Sequence, residues 1–154
     1  MVKTVWALIL ALILTVSGLT ACGREVVTEE TGTGRIGLAM IGDEETLAVT
    51  VAVDEGGRIW DCVIDQMTEA DGVPVSKNQL GEAYGMKKAS SIGKEWDEQA
   101  RGFADYVKGM TLDQVLGIDL DDNGKAVDPG LLSSATIDLR EFVQGVEEAV
   151  RQVK

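Results

Sequence analysis

Residues 46–66 read TLAVTVAVDEGGRIWDCVIDQ and predict a β-hairpin. Thr46–Val53 is a short apolar run rich in β-branched residues, and Arg58–Gln66 is a second run of the same kind. The DEGG sequence at 54–57 is typical of a tight turn, because glycine adopts the positive φ angles that hairpin turns require. The two runs are therefore expected to pair as antiparallel strands.

Strict alternation along the second strand of this hairpin predicts which side chains share a face. Successive side chains of a strand point to opposite sides, so one face is expected to carry Trp60, Cys62 and Ile64. Ile59, Asp61, Val63 and Asp65 are expected on the other face. We interpret Cys62 as a small buried apolar residue, because a reactive thiol needs nearby positive charge and the neighbours here are acidic.

The segments that flank the hairpin extend the pattern. Ile36–Ile41 is short and apolar and predicts a further strand. Met67–Lys77 is polar and contains Gly72 and Pro74, which favours a loop. The strands are therefore expected in the first half of the chain.

The second half of the chain predicts helices. Trp96, Ala100, Phe103 and Val107 follow one another at intervals of four, three and four residues, which places them in one stripe of a helix within residues 93–110. Candidate caps are, at its start, Ser90 or Ser91 and, at its end, Gly109. The next two helices carry capping-box spacing: Thr111 with Gln114 for a short helix ending near Gly117, and Asp138 with Glu141 for an amphipathic one that follows.

Between the last two helices, residues 118–136 are expected to form a turn and a short strand. Strands first and helices later in one small chain indicate an α+β fold. We therefore expect a single domain with a small antiparallel sheet packed by two to three helices. A chain of 154 residues is the right length for one domain.

Composition excludes several classes of function. The chain has 26 acidic against 14 basic residues, and this net charge of −12 argues against a nucleic-acid partner, which would need clustered Lys and Arg. It has no histidine, which excludes a serine–histidine triad and imidazole ligands. Two cysteines are too few for a disulfide framework or an all-cysteine zinc site.

The N-terminus predicts export and lipidation. Lys3 is followed by an uncharged apolar run of 12 residues, Val5–Val16, which is shorter than the roughly 20 residues that span a bilayer and fits a signal peptide. Leu19-Thr20-Ala21-Cys22 then resembles the bacterial lipobox, in which the cysteine thiol receives a diacylglycerol and the signal is removed before it. We predict a lipoprotein signal at 1–21, a flexible tether at 22–34 and a folded domain at 35–154. An ordinary secretory signal is the alternative.

Two local patterns have both a functional and a structural interpretation. Asp119-Leu-Asp-Asp-Asn-Gly124 matches the opening of an EF-hand loop, but the required glutamate at position twelve is Gly130, which favours a plain Asn-Gly turn over calcium. Lysines gather around the glycines at 81 and 85 and could receive a phosphate or another anion, or could only offset nearby acids. These lysines are Lys77, Lys87, Lys88 and Lys94.

The stretches Leu80–Val107, Gly109–Thr111 and Leu131–Phe142 resemble extracytoplasmic lipoproteins of anaerobic bacteria that are assigned to the FMN-binding domain family. The resemblance covers nearly all of the expected domain. Better-known members of that family are the C subunit of the sodium-pumping NADH:quinone reductase and the G subunit of an electron-transport complex. In them FMN is joined through its phosphate to a threonine hydroxyl by a magnesium-dependent flavin transferase that uses FAD.

Residue by residue, the resemblance implies the flavin-attachment motif Asp-x-x-Ser/Thr-Gly-Ala-Thr at Ser133–Thr136. Ser133 matches the first hydroxyl residue, Ala135 the alanine, and Thr136 the acceptor. The chain departs from the motif twice: Ser134 replaces its glycine, and Asp128 lies five residues before Ser133 where the motif has three.

The resemblance implies an electron carrier, anchored through lipid at Cys22 on the outer face of the cell membrane, with FMN held as a phosphoester on Thr136. Lys87 and Lys88 are the expected counter-charges of the phosphate, and Tyr84 or Met86 could touch the flavin ring. Trp96 is expected in the core. The expected partners are the membrane, a flavin transferase and unidentified redox proteins.

Three alternatives stay open. The chain could bind flavin without a covalent bond, or it could be a flavin-free binding or structural lipoprotein of the same fold. It could also be a binding module for a small anion at the lysines. Its many carboxylates form no recognisable acid–base pair, so we expect a carrier or binding protein rather than an enzyme.

Overall fold

The computed structural model describes residues 34–42 and 45–153. The predicted signal peptide, Cys22 and the tether up to residue 33 lie outside the described residues. Four antiparallel strands form one sheet in the order β1-β2-β3-β4, and helices cover one of its faces. The strands are β1 Arg35–Ile41, β2 Leu47–Val53, β3 Ile59–Ala70 and β4 Val73–Ser76.

The helices are two of twelve residues and three of about one turn. They are α1 Lys77–Leu80, which continues into a 3₁₀ turn at Gly81–Tyr84, α2 Trp96–Val107, α3 Leu112–Leu116, α4 Pro129–Leu132 and α5 Arg140–Arg151. The predicted α+β fold with a small antiparallel sheet is confirmed. In the described part of the chain, no helix has the length and apolar character that crossing a membrane requires.

The predicted hairpin is formed by β2 and β3. Asp54 closes its turn, because its carboxylate accepts a hydrogen bond from Arg58 N at 2.8 Å and its carbonyl accepts one from Gly57 N at 3.1 Å. The alternation predicted along β3 is wrong at its start. Val53 pairs with Ile59 and Ala52 with Asp61, so Trp60 is the extra residue of a β-bulge. Ile59 therefore joins Cys62 and Ile64 in the core, while Trp60 is half exposed.

The loop predicted over 67–77 is wrong. Strand β3 continues to Ala70 and pairs with β4 through a two-residue turn, Asp71-Gly72, in which both residues have positive φ angles of 53° and 77°. These angles match the turn type that Asp-Gly favours in hairpins. Pro74 is tolerated because β4 is an edge strand, where a missing N–H breaks no essential pairing.

The core lies between the sheet and the two long helices. Phe142 of α5 meets Trp96 and Phe103 of α2 edge to face, at ring-centre distances of 5.8 and 5.5 Å. Trp96 and Cys62 are both buried, as predicted. Helix α5 lies so close to β1 that a Cβ atom at Gly37 would stand 1.9 Å from the carbonyl oxygen of Ala149.

The helix ends test the predicted caps. The box of Thr111 and Gln114 at α3 is confirmed. Neither Ser90 nor Ser91 caps α2, because Glu95 is its N-cap and forms a reciprocal capping box with Glu98.

Helix α5 begins at Arg140 with Leu139 as its N-cap, so the predicted box at Asp138 is wrong. The carboxylate of Asp138 instead bonds the backbone and guanidinium of Arg140.

Residues 118–136 form a turn and a short helix, not the predicted turn and strand. Leu120 and Ala126 make one isolated bridge across the turn, and α4 follows. The sequence signal for α4 was Asp128-Pro129: the aspartate side chain accepts from Leu131 N at 3.0 Å, and the proline is the first helical residue. Asp128 is therefore a helix cap.

Candidate functional site

The segment Ser133–Thr136 leaves the C-terminal end of α4. The backbone N–H groups of Ser134 and Ala135 both donate to the carbonyl of Leu131 at 2.8 Å, which turns the chain tightly. Leu131 and Ala135 are fully buried and fix this turn in the core, while Ser133 is exposed and Thr136 is half-buried. The two hydroxyl residues thus stand at the surface on a rigid backbone.

Gln99 of α2 holds Thr136 in place. Its side-chain oxygen Oε1 accepts from Thr136 N at 2.8 Å and from the hydroxyl Oγ1 at 3.2 Å. Its amide nitrogen Nε2 lies 3.1 Å from the carbonyl of Lys94 and 3.3 Å from the hydroxyl of Ser90. Gln99 is 1 % exposed, so these bonds form away from water, where an unmade one is costly.

Sequence reasoning missed Gln99, although a signal was present. It stands three residues after Trp96 and next to Ala100, on the apolar stripe of α2. A glutamine on the buried stripe of an amphipathic helix needs buried hydrogen-bond partners. In this chain those partners belong to the Thr136 segment and to the loop before α2.

Thr136 lines a shallow, solvent-open pocket of about 380 Å³, which we call the Thr136 cavity. Its wall is largely apolar. The polar groups in it are the Thr136 hydroxyl, two further hydroxyls and one lysine ammonium. The lining residues are Ser91, Ile92, Lys125, Pro129, Leu132, Ser133 and Thr136. An apolar cavity with a few convergent polar groups is the usual form of a small-molecule site.

Positive charge at this site comes from Lys125 and Lys94. Lys125 is part of the cavity wall, and the ammonium of Lys94 lies 3.3 Å from the carbonyl of Ser133 and 3.5 Å from that of Ser134. Lys87 and Lys88 are exposed and are not among the residues that line the cavity. Lys87 lies 3.8 Å from the carboxylate of Glu82. Their role as counter-charges stays a prediction.

The turn before α4 places Lys125. The carboxylate oxygen Oδ1 of Asp121 accepts from the backbone N–H groups of Asn123 and Lys125, both at 2.9 Å. The hydrogen bond from Lys125 N is the main reason that the pKa of Asp121 lies below its usual value. Gly124 has a φ of 73°, so the predicted Asn-Gly turn is confirmed. Among residues 34–42 and 45–153, no group of three His, Cys, Asp or Glu is arranged to hold a metal ion.

Ser134, which replaces the glycine of the flavin-attachment motif, packs against α2 at Gly102. A Cβ atom built on Gly102 would lie 2.9 Å from the Cβ of Ser134. The backbone of α2 can approach Ser134 this closely because Gly102 has no side chain.

Lys77 lies in a different environment from the other three lysines. It is 4 % exposed, and its ammonium lies 2.7 Å from Gln66 Oε1 and 3.2 Å from Glu45 Oε2. The rings of Tyr84 and Trp96 lie 5.1 and 5.4 Å away, which is within cation–π range. The four lysines therefore do not form one cluster.

Beside Lys77 is a second cavity of about 340 Å³, which we call the Lys77 cavity. Tyr84 and Met86, which the resemblance offered as flavin contacts, lie in its wall together with aromatic and acidic residues of α2 and α5. The lining residues are Gln66, Lys77, Tyr84, Met86, Trp96, Ile137, Asp138, Glu141 and Phe142. Thr136 is not among them, so the expected acceptor and the expected ring contacts line different cavities. Gln99 lies between the two, because its Nε2 is 3.5 Å from the sulfur of Met86 and its Oε1 is 3.2 Å from Thr136 Oγ1.

Comparison with known proteins gives limited similarity. A stretch of 40 residues, 26 % of this chain, is 45 % identical to a chlorophenol reductase of Desulfitobacterium hafniense. That stretch spans 12 % of the reductase, so most of the reductase has no counterpart here. No family model matches the chain, and no solved structure matches it.

Proposed function

We propose that this chain is a lipid-anchored extracytoplasmic protein that carries FMN as a phosphoester on Thr136 and passes electrons between redox partners. The observation that supports the proposal is the placement of Thr136 Oγ1. It is held by buried Gln99 in the wall of a cavity that also presents Lys125. An acceptor hydroxyl needs a fixed position and room for the group that it receives.

The residues of the Thr136 cavity fit a flavin nucleotide. Ile92, Pro129 and Leu132 offer apolar surface, and Lys125 offers an ammonium for a phosphate. Lys94 adds a second positive charge beside the same backbone. Bound there, FMN would supply the transfer of one or two electrons, while the protein would set its orientation and surroundings.

The attachment reaction transfers the FMN moiety of FAD to the hydroxyl of Thr136. The Thr136 oxygen forms a bond to the phosphorus of the FMN moiety, the bond from that phosphorus to the bridging oxygen of the pyrophosphate breaks, and AMP leaves. The hydroxyl proton passes to a base of the flavin transferase. Gln99 Oε1 still has the Thr136 N–H as its partner after the hydroxyl proton is gone, so the buried amide stays satisfied.

The match to a chlorophenol reductase agrees with a role in electron transfer, because a reductase moves electrons to its substrate. The resemblance to FMN-binding lipoproteins, the lipobox at 19–22 and the 12-residue apolar run before it support anchorage at Cys22. On this proposal the cofactor works outside the cell membrane, where a lipid tail keeps the carrier near membrane-bound donors and acceptors.

Intact mass of the protein extracted from its own membrane tests both parts of the proposal. We expect the mass of residues 22–154 plus a diacylglyceryl group on Cys22, with any further acyl group on its amine, plus FMN less one water. Thr136→Ala removes the flavin and leaves the acyl groups. Thr68→Ala is the matched control, because Thr68 is a threonine of similar exposure on β3, outside the Thr136 cavity, and this variant keeps the flavin. A native protein without flavin, isolated beside an active transferase and its control substrate, overturns the carrier function.

A flavin-free binding lipoprotein is the second candidate, and the hydrogen bond between Thr136 and Gln99 is the observation that favours it. A hydroxyl that is bonded to a buried amide is also what a purely structural role requires, in which Thr136 joins α2 to the segment after α4. In that case Thr136→Ala lowers stability and changes no mass other than that of the substitution itself.

A further inference from the structure

The sheet face opposite α5 is not covered by any described part of the chain. Ile36, Leu38 and Met40 alternate along the edge strand β1 and are 70 %, 50 % and 58 % exposed. Trp60 and Val63 of β3 are 50 % and 54 % exposed. We call these five side chains the open face. Exposed apolar patches of this kind mark interaction surfaces.

The centre of the open face carries no charge. Across the sheet, Ile36 pairs with Ala52, Leu38 with Thr50 and Met40 with Ala48, so small neutral side chains lie between β1 and β3. The acids of this face lie on β3, where Asp61 and Asp65 flank Val63 and Glu69 follows them, and the first two have partners. Asp61 lies 3.2 Å from the ammonium of Lys108, and Asp65 accepts from the hydroxyl of Ser76 at 2.6 Å.

The chain enters the sheet at this face. Gly34, the first described residue, packs under the indole of Trp60, and a Cβ atom there would lie 2.3 Å from Trp60 Nε1. Cys22 stands 12 residues earlier in the sequence. An extended segment of that length reaches at most about 40 Å. A lipid on Cys22 therefore keeps Gly34, at the edge of the open face, within about 40 Å of the bilayer.

We propose that the open face lies on the surface of the membrane to which Cys22 anchors the chain, with the Trp60 indole at the level of the headgroups. This inference rests on the lipidation in the proposed function. A zwitterionic lipid surface fits the observations better than a second copy, because two mature chains, each without Lys3 and so with 13 basic against 26 acidic residues, would repel one another. Tryptophan suits the boundary, since its ring is apolar and its N–H is polar.

Tryptophan fluorescence in vesicles tests the proposal. The lipidated full-length mature protein contains two tryptophans, Trp60 and Trp96, and Trp96 is buried in the core. In phosphatidylcholine vesicles with acyl chains brominated near the headgroup, we expect about half of the emission to be quenched. Trp60→Phe removes the quenched part. Quenching that is absent in the wild type, or unchanged in Trp60→Phe, overturns the proposal.

A charge on the open face sharpens the test. Leu38→Lys is expected to reduce the quenching of Trp60 at least twofold, since an ammonium at this position resists contact with acyl chains. Val127→Lys is the matched control, because Val127 is 54 % exposed, close to the 50 % of Leu38, and lies in the turn before α4; it leaves the quenching unchanged. Equal quenching in the two variants overturns the proposal.

Two further measurements separate the possible failures. Intact mass of the reconstituted sample shows whether Cys22 carries lipid. Lipidated protein with unquenched Trp60 overturns the open-face contact alone, while protein without lipid overturns the anchorage. Cross-linking through Leu38→Cys detects a second copy on the open face, because Cys62 is buried and does not compete. Quantitative formation of that dimer in vesicles overturns the lipid contact.

Discussion

The Lys77 cavity has a buried lysine in its wall and the Thr136 cavity has a buried glutamine behind its wall, but the two side chains use their hydrogen-bonding capacity in opposite ways. The ammonium of Lys77 makes its hydrogen bonds within the protein, to Gln66 and Glu45, and two aromatic rings flank it. Gln99 stands behind Thr136 and holds a half-buried hydroxyl at the cavity surface. The first arrangement stabilises the fold, and the second fixes a hydroxyl at the cavity surface.

This difference teaches that burial alone does not identify a functional polar group. The two cavities differ in what the buried group bonds to. Lys77 bonds only side chains that complete its own network, whereas Gln99 fixes the position of an accessible hydroxyl. Both networks are fully bonded, since no described buried side-chain nitrogen or oxygen lacks a partner. Substitutions on the two sides should therefore differ in what they change: flavin loading for one, stability for the other.

The largest effect is expected for Gln99→Leu, which should lower both stability and flavin loading. Leucine leaves the Thr136 N–H and the carbonyl of Lys94 without their buried partner, at a cost of about 2 to 4 kcal/mol. Denaturant unfolding measures the stability, and in-gel flavin fluorescence after co-expression with a transferase measures loading. The matched control is Gln144→Leu, an exposed glutamine of α5, which should change neither. Full loading of a destabilised Gln99→Leu protein would contradict the positioning role.

Substitutions of Lys77 should be next in size and should affect stability only. Lys77→Ala empties a buried volume and removes both ring contacts, for a loss of about 2 kcal/mol. Lys77→Met keeps the length of the stem and removes the buried charge, so its loss should stay within about 1 kcal/mol. Thermal unfolding of the two variants checks the order. Loss of flavin loading in the well-folded Lys77→Met protein would erase the contrast between the two cavities.

Cys62 extends the comparison to a buried group with no hydrogen-bonding role. Burial against apolar neighbours, with Asp61 nearby as the next cause, raises the pKa of its thiol from 9.0 to about 12. Between these values the unfolded chain ionises while the folded one does not, so stability should be complete below pH 9 and fall as the pH rises toward 12. Urea unfolding at pH 8 and pH 10.5 measures the change. In the Cys62→Ala variant, stability should fall less between pH 8 and pH 10.5. An equal fall in the variant and the wild type would show that other ionisable groups cause it.

The sequence predicted the parts of the fold that depend on local periodicity and missed those that depend on small offsets. The strands of the hairpin and the stripe of α2 are periodic over many residues, and both are present. The single extra residue at Trp60 could not be predicted, because a bulge changes the register without changing composition. The loop predicted over 67–77 could have been avoided, since Asp71-Gly72 is a known hairpin signal.

The candidate site divides in the same way. Thr136 and Ser133 were predicted from a motif, and the structure places both in the wall of one cavity. Lys125 was not predicted as part of the site, because it is brought there by the turn at 121–124 and by α4. Lys77 was grouped with Lys87 and Lys88 because they are close in sequence, while β4 and α1 bury it elsewhere. Distances between segments are not encoded in local spacing.

The smallest expected effect is that of Asp121→Ala, which tests whether the turn matters to the Thr136 cavity through Lys125. Asp121 is exposed, so the loss of its hydrogen bonds to Asn123 N and Lys125 N should lower the stability only slightly. Because its carboxylate has a lowered pKa, this contribution is present above the ordinary value of 3.8 and is lost as the pH falls below it. Flavin loading at neutral pH should slow two- to threefold as Lys125 loses its fixed position. Asp122→Ala, a change to an equally exposed neighbour, should leave the rate unchanged. Equal rates in the two variants would remove Lys125 from the site and leave Thr136 and Gln99 as its ordered polar centre.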